Sequence, residues 1–366
     1  MSAVKNSPDT DDATSPHAFV ADRDDLVLIT GANGFVGPRV VQSLLNLGFR
    51  NIRCFVKPTS ELTKLGALLE DKKDARIEVV RGNLLSLNEC IAATKDAAII
   101  FHLAAGRGEK SFPDAFLNSV VTTRNLLEAS LVHQQLRRFV NISSFAVYDN
   151  MARRGSEPLD ETCPIEEPAH RRGEAYCFAK VKQDEVVIDY GRRFSIPYVI
   201  VRPGYVYGPG KQAISGRVGI DTFGVFLHMG GSNTIPLTYV DNCADAIALA
   251  GVTRGVDSEV FNVVDDELPS SRRFLRLYKK HVKRFTTMYV PHPVSYALCW
   301  MWERYSSWSE EQLPPVFNRS RWYANWRKTR YSNQKLKLRL GWTPRVSTSA
   351  GLALFFEGCR QGAERA

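Results

Sequence analysis

The chain has 366 residues, of which 44% are hydrophobic and 24% charged, a composition typical of a globular protein large enough for two lobes. No apolar run reaches the roughly 18 residues that a membrane-spanning helix needs, and the seven cysteines are scattered without a CxxC pair, so neither a disulfide framework nor a metal site is predicted. The net charge of +9 is local, because residues 270–345 hold 17 Lys or Arg against three acidic residues, together with all six tryptophans.

The first 24 residues are polar and rich in aspartate. We expect a disordered N-terminal tail over 1–24, because such a segment has too little apolar surface to form a core. It also has no apolar stretch typical of a signal peptide, so we expect a cytoplasmic protein.

Seven short apolar runs predict β-strands, with helical patterns between them. The runs are continuous rather than alternating, which is typical of strands buried on both faces of a parallel sheet. The predicted strands are 26–30, 53–56, 76–80, 97–103, 139–143, 198–202 and 259–264. The predicted helices include 38–47, 116–131 and 174–194. This order predicts an α/β fold, a Rossmann-like doubly wound parallel sheet.

A glycine-rich turn, Thr30-Gly31-Ala32-Asn33-Gly34-Phe35-Val36-Gly37, directly follows the first strand. Three glycines here allow a tight turn, a close approach of the backbone to a pyrophosphate, and close packing of the helix on the strand, while free helix amides attract phosphate. We therefore predict a dinucleotide-binding domain over 25–210, to which 236–265 returns. The remainder, 211–235 and 266–366, is predicted to form a smaller substrate-binding lobe.

Tyr176 and Lys180 lie four residues apart in a predicted helix, so both side chains are on one face. A nearby cation stabilises the phenolate and lowers the pKa of a tyrosine, which turns the phenol into a proton donor and acceptor near neutral pH. The spacing alone is weak evidence, because chance supplies it on many helices.

Five further segments carry a family resemblance. They are Phe101-His102-Leu103-Ala104-Ala105, Ser143-Ser144-Phe145-Ala146-Val147-Tyr148, Arg202-Pro203-Gly204-Tyr205-Val206-Tyr207-Gly208-Pro209-Gly210, Tyr239-Val240-Asp241-Asn242 and Leu340-Gly341-Trp342-Thr343-Pro344. With the glycine turn and Tyr-x-x-x-Lys, they make residues 26 to about 346 resemble the extended short-chain dehydrogenase/reductase family. That family includes nucleotide-sugar epimerases and 3β-hydroxysteroid dehydrogenases.

The resemblance implies roles for individual side chains. Tyr176 would be the acid/base, Lys180 would lower its pKa and bind the nicotinamide ribose, and Ser144 would hydrogen-bond the same substrate oxygen. Ser143 would support the strand end, and His102 would have a structural place. The implied cofactor contacts are Gly31, Asn33, Gly34, Phe35, Val36, Gly37, Lys57, Asn83, Leu84, Leu103, Ala104, Ala105, Tyr176, Lys180, Pro203, Gly204 and Val206.

Three positions depart from the family pattern. After the second strand, Lys57 stands where an acid would contact the ribose hydroxyls of NAD, so NADP is mildly favoured over NAD. Asn83 replaces the usual aspartate near the adenine. The asparagine of the family's catalytic helix aligns with either Asn118 or Ser119.

Phe145 and Ala146 follow Ser144 where related 4,6-dehydratases carry Asp-Glu, so dehydration is not expected. What remains is interconversion of a secondary alcohol and a ketone, by an epimerase that keeps its cofactor or by a dehydrogenase or reductase that exchanges it. We expect a nucleotide sugar as the substrate. The alternatives are a steroid-like or other lipid alcohol and a non-catalytic dinucleotide-sensing scaffold.

The substrate lobe must neutralise a pyrophosphate if the substrate is a nucleotide sugar. Arg217 and Arg272, with Arg273, are candidates because guanidinium groups match phosphate oxygens. Tyr148 and Tyr207 are candidate cleft residues. We expect no nucleic-acid partner, and the resemblance implies a homodimer through the two long central helices. The apolar stretch 294–302 and its basic flanks also suggest peripheral contact with a membrane.

Overall fold

The structure is a computed structural model that describes residues 19–63, 65–66, 75–106, 111–153, 157–211, 214–309 and 317–364. Its centre is a seven-stranded sheet in the order β3-β2-β1-β4-β5-β6-β11, and every neighbouring pair is parallel. The strands are β1 (Leu26–Thr30), β2 (Asn51–Val56), β3 (Arg76–Arg81), β4 (Ala97–His102), β5 (Arg138–Ile142), β6 (Tyr198–Pro203) and β11 (Glu259–Val263). The predicted doubly wound α/β fold is confirmed.

The helices of this domain lie on both faces of the sheet. They are α1 (Gly37–Asn46), α2 (Leu87–Thr94), α3 (Phe112–Ala115), α4 (Thr122–His133), α5 (Ala175–Phe194) and α6 (Val240–Val252), with a π-helical segment at Phe116–Val121 and a 3₁₀ turn at Phe145–Val147. All seven predicted strands form, but the rationale of burial on both faces fails for β3. It is an edge strand with exposed residues along its length, because only β2 pairs with it.

The second lobe is built on a small three-stranded sheet. It contains β8 (Gly219–Thr222), β9 (Val225–His228) and β12 (Thr287–Tyr289), with β9 at its centre, and the helices α7 (Ser271–His281), α8 (His292–Trp308), α9 (Arg319–Asn325) and α11 (Thr348–Glu364). Strands β7 (Tyr205–Tyr207) and β10 (Leu237–Tyr239) pair where the chain passes between the lobes. None of the described helices is long and apolar enough to cross a bilayer.

Residues 334–342 correct the predicted domain boundary. Helix α10 (Gln334–Leu340) packs on the domain of the seven-stranded sheet, where Leu336, Leu340 and Trp342 join the same apolar cluster as β1 and β4. The Trp342 indole also donates to the carbonyl of Asn242 at 3.2 Å. The substrate lobe therefore does not take up the whole of 266–366.

The predicted disordered tail also ends too late. Residues 1–18 lie outside the described residues, but Phe19 pairs with Thr253 and the amide of Val20 donates to the carbonyl of Val252 at 2.7 Å. Ala21 is buried in the same apolar cluster. These contacts fix 19–24 against the end of α6, which the polar composition of the segment did not indicate.

Candidate active site

A cavity of about 620 Å³ opens at the carboxyl ends of the central strands, where the strand order reverses between β1 and β4. In doubly wound sheets this is the position at which ligands bind. All the predicted cofactor residues line it, together with Ser144, Tyr176 and Lys180. The structure therefore brings the two groups of predicted residues into one site.

The glycine turn forms one end of the cavity. Gly31 has a φ of +68°, and a Cβ atom there would lie 2.8 Å from the amide nitrogen of Ala104. A Cβ atom at Gly37 would lie 2.3 Å from the carbonyl oxygen of Ala32. The side-chain amide of Asn33 donates to the carbonyl of Glu61, while its oxygen is buried without a hydrogen-bond partner among the described residues. This narrow, amide-rich cradle fits the pyrophosphate of a dinucleotide.

The loop after β2 forms the adjoining wall. Lys57 is exposed there, and the guanidinium of Arg81 donates to the carbonyls of Pro58 and Ser60 at 2.8 and 2.9 Å. Arg81 thus holds the loop and adds a second positive charge. The side-chain oxygen of Asn83 accepts from the amide of Leu85 at 3.0 Å, and a carbonyl oxygen has a second lone pair for another donor.

Tyr176 and Lys180 lie one turn apart near the start of α5, at the opposite end of the cavity. Tyr176 is 44% exposed, so its phenol is accessible to a substrate, whereas Lys180 is buried. The Lys180 ammonium donates to the carbonyl of Ile142 at 2.6 Å and to the side-chain oxygen of Gln183 at 2.8 Å. These bonds fix the cation at the end of β5.

Ser144 follows β5 and is half-buried, with its hydroxyl accepting from the amide of Ala146 at 3.2 Å. Ser143 is more deeply buried and donates to the carboxylate of Asp184 at 2.8 Å. This arrangement agrees with the expectation that Ser143 supports the strand end. The assignment of Ser144 as the catalytic hydroxyl stays a prediction.

Asp184 is a positioning residue that the sequence reasoning missed. It lies one turn beyond Lys180 on α5, so positions 176, 180 and 184 share one face, and this spacing was the signal that was available. Its carboxylate accepts from Asn141 at 2.8 Å and from Arg202 at 3.0 Å, all three being buried. Burial raises the pKa of the Asp184 carboxyl, and the charges of Arg202 and Lys180 counteract that rise.

His102 is enclosed behind Lys180 and is not at the cavity surface. The hydroxyl of Thr123 donates its proton to the carbonyl of Ser119, so toward His102 this hydroxyl can only accept, from Nε2–H. The other ring nitrogen, Nδ1, therefore carries no proton and accepts from the hydroxyl of Thr30 at 2.8 Å. Burial, together with the charge of Lys180, lowers the pKa of His102 to about 3. The imidazole is therefore neutral and joins β1, β4 and α4.

Asn118 and Ser119 separate in the π-helical segment. Asn118 lines the cavity, whereas Ser119 is buried and its hydroxyl accepts from the amide of Gly106 at 3.2 Å. Which of the two fills the family's helix position stays a prediction, but Asn118 is the one placed to meet a ligand.

Tyr148 and Tyr207 are not among the described residues that line the cavity, so their prediction as cleft residues is wrong. Both rings are fully buried. The Tyr148 hydroxyl donates to Asn262 at 2.7 Å, and the Tyr207 hydroxyl donates to Asp265 at 3.3 Å. Each ring fills a core that a sequence pattern alone cannot distinguish from a cleft wall.

The arginines selected for pyrophosphate binding are also absent from the described cavity wall. Arg217 donates to the carbonyl of Ala324 at 2.5 Å and to the hydroxyl of Tyr331 at 3.3 Å. Arg272 lies over the ring of Tyr289 at 5.6 Å, and Arg273 lines a separate groove between α7 and α11. Of the three, only Arg217 lies near the site, through Tyr331.

Tyr331 is a second residue that the sequence reasoning missed. Its ring stacks on Phe145, the neighbour of Ser144, with 5.6 Å between centroids and an interplanar angle of 20°. The contact joins positions 186 residues apart in the chain, so no local pattern indicated it.

Comparison with known proteins gives a family match and several relatives. The family model described as the NAD dependent epimerase/dehydratase family matches residues 27–263. A trifunctional UDP-glucose 4,6-dehydratase/UDP-4-keto-6-deoxy-D-glucose 3,5-epimerase/UDP-4-keto-L-rhamnose-reductase of Arabidopsis thaliana is 26% identical over 258 residues. That match covers 65% of this chain and 36% of the plant enzyme, so the chain spans about a third of that relative's length.

Two other relatives are covered almost completely. The sterol-4-alpha-carboxylate 3-dehydrogenase, decarboxylating, of Dictyostelium discoideum is 22% identical, over 89% of this chain and 98% of its own. The crystal structure of UDP-glucuronic acid 4-epimerase from Bacillus cereus in complex with NAD is 22% identical with a TM-score of 0.67, and the match covers 92% of this chain and 99% of that one. At this identity, the structural match supports the fold.

Proposed function

The chain belongs to the NAD dependent epimerase/dehydratase family, and on this premise we propose that it interconverts a secondary alcohol and a ketone by hydride transfer, acting on a nucleotide sugar. The observation that carries the proposal is the convergence of Ser144, Tyr176 and Lys180 with the glycine turn on one cavity. The phenol is accessible, the cation is fixed behind it, and a hydroxyl lies at the end of the neighbouring strand.

A bound nicotinamide dinucleotide supplies the hydride acceptor or donor. Gly31 to Gly37 would hold its pyrophosphate, and Lys180 would contact its ribose. Tyr176 takes the proton of the substrate hydroxyl during oxidation and returns it during reduction. Lys180 stabilises the phenolate form of Tyr176, which accepts the proton during oxidation and is regenerated during reduction, because an adjacent cation favours the charged form. Ser144 hydrogen-bonds the same substrate oxygen and orients it toward Tyr176.

The surroundings of Ser144 support oxidation and reduction rather than dehydration. Elimination of water needs an additional acid and base at the substrate. The two positions after Ser144 carry Phe145, which is buried against Tyr331, and Ala146. Neither can transfer a proton.

We propose NADP(H) as the preferred cofactor. Lys57 and Arg81 give the loop after β2 two positive charges beside the cavity, which suits a ribose 2′-phosphate. Several related structures contain NAD, including that of the Bacillus cereus epimerase, so the preference needs a direct test.

Titration of protein fluorescence should give tighter binding of NADPH than of NADH, and Lys57→Ala should reduce the difference. Tighter binding of NADH to the wild-type protein would overturn this preference.

The choice of a nucleotide sugar rests on the relatives, since the plant and bacterial enzymes are named for UDP-sugars. A lipid-like alcohol is the second candidate. It is favoured by the sterol dehydrogenase relative, which matches almost the whole chain, and by an exposed apolar helix face in the second lobe. A non-catalytic dinucleotide-sensing scaffold is the third, and retention of Ser144, Tyr176 and Lys180 argues against it.

A thermal-shift screen with cofactor present separates these candidates, because a ligand that binds only the folded state raises the melting temperature. We expect a UDP-sugar to raise it and sterol-like alcohols to leave it unchanged. The reverse result would select the lipid alcohol. Absence of turnover for every ligand that binds would favour the scaffold.

Two expectations about the whole protein remain proposals. We propose a homodimer through α4 and α5, and a cytoplasmic location. Sedimentation equilibrium of the full chain tests the first, and a monomer at micromolar concentration would contradict it.

A further inference from the structure

Helix α8 exposes many of its large apolar side chains to solvent, which is unusual for a helix that packs only on its own lobe. Its inward face carries Ser295, Cys299 and Ser306, all buried. Ser295 accepts from the indole of Trp322 at 2.9 Å, and Glu303 accepts from the guanidinium of Arg319 at 2.9 Å. The rings of Tyr296 and Trp302 also contact Trp322 and Phe317, so small, polar and aromatic side chains together attach α8 to the lobe.

The opposite side of α8, which we name the α8 outer face, is apolar and exposed. Trp308 is 79% exposed and Leu298 is 51% exposed, which is unusual for side chains of this size. The other members are about half exposed, and the full set is Val294, Leu298, Trp300, Met301, Tyr305 and Trp308. Val294, Leu298, Met301, Tyr305 and Trp308 recur at intervals of three or four residues along a helix roughly 25 Å long, and Trp300 lies to one side of this line. The stripe is therefore continuous.

Positive charge accompanies this apolar stripe. Arg304 is exposed beside the α8 outer face, and its guanidinium lies 5.8 Å from the ring centre of Trp300. Lys283 and Arg284 are exposed just before β12, the strand that leads into α8. The sequence stretch 270–345, to which α8 belongs, has an excess of 14 positive charges. An anionic partner is thus favoured, and a second copy of the same basic face would be repelled.

A further exposed apolar side chain of the second lobe lies on β12. Met288 lies beside Leu227 in the β9–β12 pairing, and Leu227 packs in the apolar cluster beneath α8. Met288 is itself exposed on that side of the small sheet.

We propose that the α8 outer face docks on an anionic lipid membrane. Helices with an apolar stripe, aromatic residues and flanking cations lie in the plane of a bilayer with the apolar side inserted. Tryptophan and tyrosine favour the interfacial region, and lysine and arginine are attracted by acidic headgroups. The contact is peripheral, in keeping with the absence of a membrane-spanning helix among the described residues. It does not depend on the proposed reaction, because Tyr176 and Lys180 lie on α5.

Flotation of the full chain with lipid vesicles tests the proposal. We expect the protein to float with phosphatidylcholine vesicles that contain about 30% phosphatidylglycerol at about 0.15 M salt, and not with phosphatidylcholine alone. Leu298→Asp and Met301→Asp should each reduce the bound fraction at least tenfold, because they place a charge in the apolar stripe. Arg304→Gln should reduce it about threefold and weaken its salt dependence.

Leu338→Asp is the matched control, since Leu338 is an apolar residue on α10 that is 78% exposed. It should leave flotation unchanged, and thermal unfolding and cofactor binding should be the same in all variants. If the folded wild-type protein does not float with anionic vesicles, the proposal is wrong. It is equally wrong if Leu338→Asp reduces flotation as much as Leu298→Asp. Conversion of a dimer to a monomer by Leu298→Asp, without vesicle binding, would assign this face to a second copy of the chain.

Discussion

Helices α5 and α8 both bury polar side chains, but these side chains have different structural consequences in the two helices. On α5 the buried Lys180 bonds to β5 and the buried Asp184 bonds to β5 and β6, while Gln183 accepts from Lys180; these bonds fix the end of the helix that carries Tyr176. On α8 two serines are buried, and six large apolar residues are exposed on the outer face. The buried polar groups of α5 therefore indicate the candidate active site. The exposed apolar groups of α8 indicate the proposed docking surface.

The comparison predicts that replacing buried polar residues of α5 lowers the free energy of unfolding strongly. Replacing exposed apolar residues of α8 should lower it little. The largest effect should come from Asp184→Asn, which leaves the buried Arg202 without its charged partner. Breaking such a pair costs about 3–5 kcal/mol of unfolding free energy. Glu185→Gln, at the exposed neighbour that pairs with Lys182, should cost less than about 1 kcal/mol. Urea unfolding measures both, and equal costs would remove the distinction between the two faces of α5.

The two serines at the end of β5 should differ in what they lose. Ser143→Ala removes a hydrogen bond to the buried Asp184 and should cost about 1.5–3 kcal/mol of stability. Ser144→Ala should leave stability within about 1 kcal/mol but lower turnover. Paired measurements of unfolding and turnover decide this, and a loss of turnover confined to Ser143→Ala would exchange the two assignments.

His102 should give the fold a pH dependence behind α5. Its pKa is about 3 in the folded chain against an ordinary value of 6.5. Between these values the unfolded chain takes up a proton that the folded chain does not, so stability present above pH 6.5 is lost as the pH falls. From about pH 7.5 to about pH 5.5, the wild-type protein should lose about 1 kcal/mol more than His102→Gln. Parallel losses in the two proteins would show that the imidazole is protonated in the folded state.

The smallest effect is expected on α8. Trp308→Ser should change the unfolding free energy by less than about 0.5 kcal/mol, because the indole is mainly in solvent. Trp326→Ala, at a buried tryptophan of the same lobe, should cost about 3–5 kcal/mol. Thermal and urea unfolding provide the measurement. A large cost for Trp308→Ser would mean that α8 is covered within the folded chain.

The sequence predicted the first domain well because its signals are local. Most strands of the central sheet are largely apolar runs, with β3 the exception, and the turn around Gly31 and the Tyr176–Lys180 spacing lie within single segments. The contacts that the sequence did not reveal join distant segments, such as Tyr331 on Phe145 and Asp184 on Arg202. The same reason explains why Tyr148 and Tyr207 were assigned to the cleft, since aromatic residues beside a site motif can face either way.

The second lobe was harder to predict, because composition does not distinguish its buried tryptophans from its exposed ones. Six tryptophans in one basic stretch suggested one surface. In the structure Trp326 and Trp342 are buried in separate clusters, whereas Trp300 and Trp308 lie on the α8 outer face. Only the packing of α8 on β9 and α9 shows which tryptophans point outward.

Turnover of Tyr176→Phe, with a substrate identified by the thermal-shift screen, tests the central claim most directly. The substitution removes the hydroxyl that transfers the proton, so the rate should fall by about 10²- to 10⁴-fold. Cofactor affinity should be retained, and Tyr305→Phe on the α8 outer face should react at the wild-type rate. Unchanged turnover in Tyr176→Phe would contradict the assignment of this residue as the acid/base.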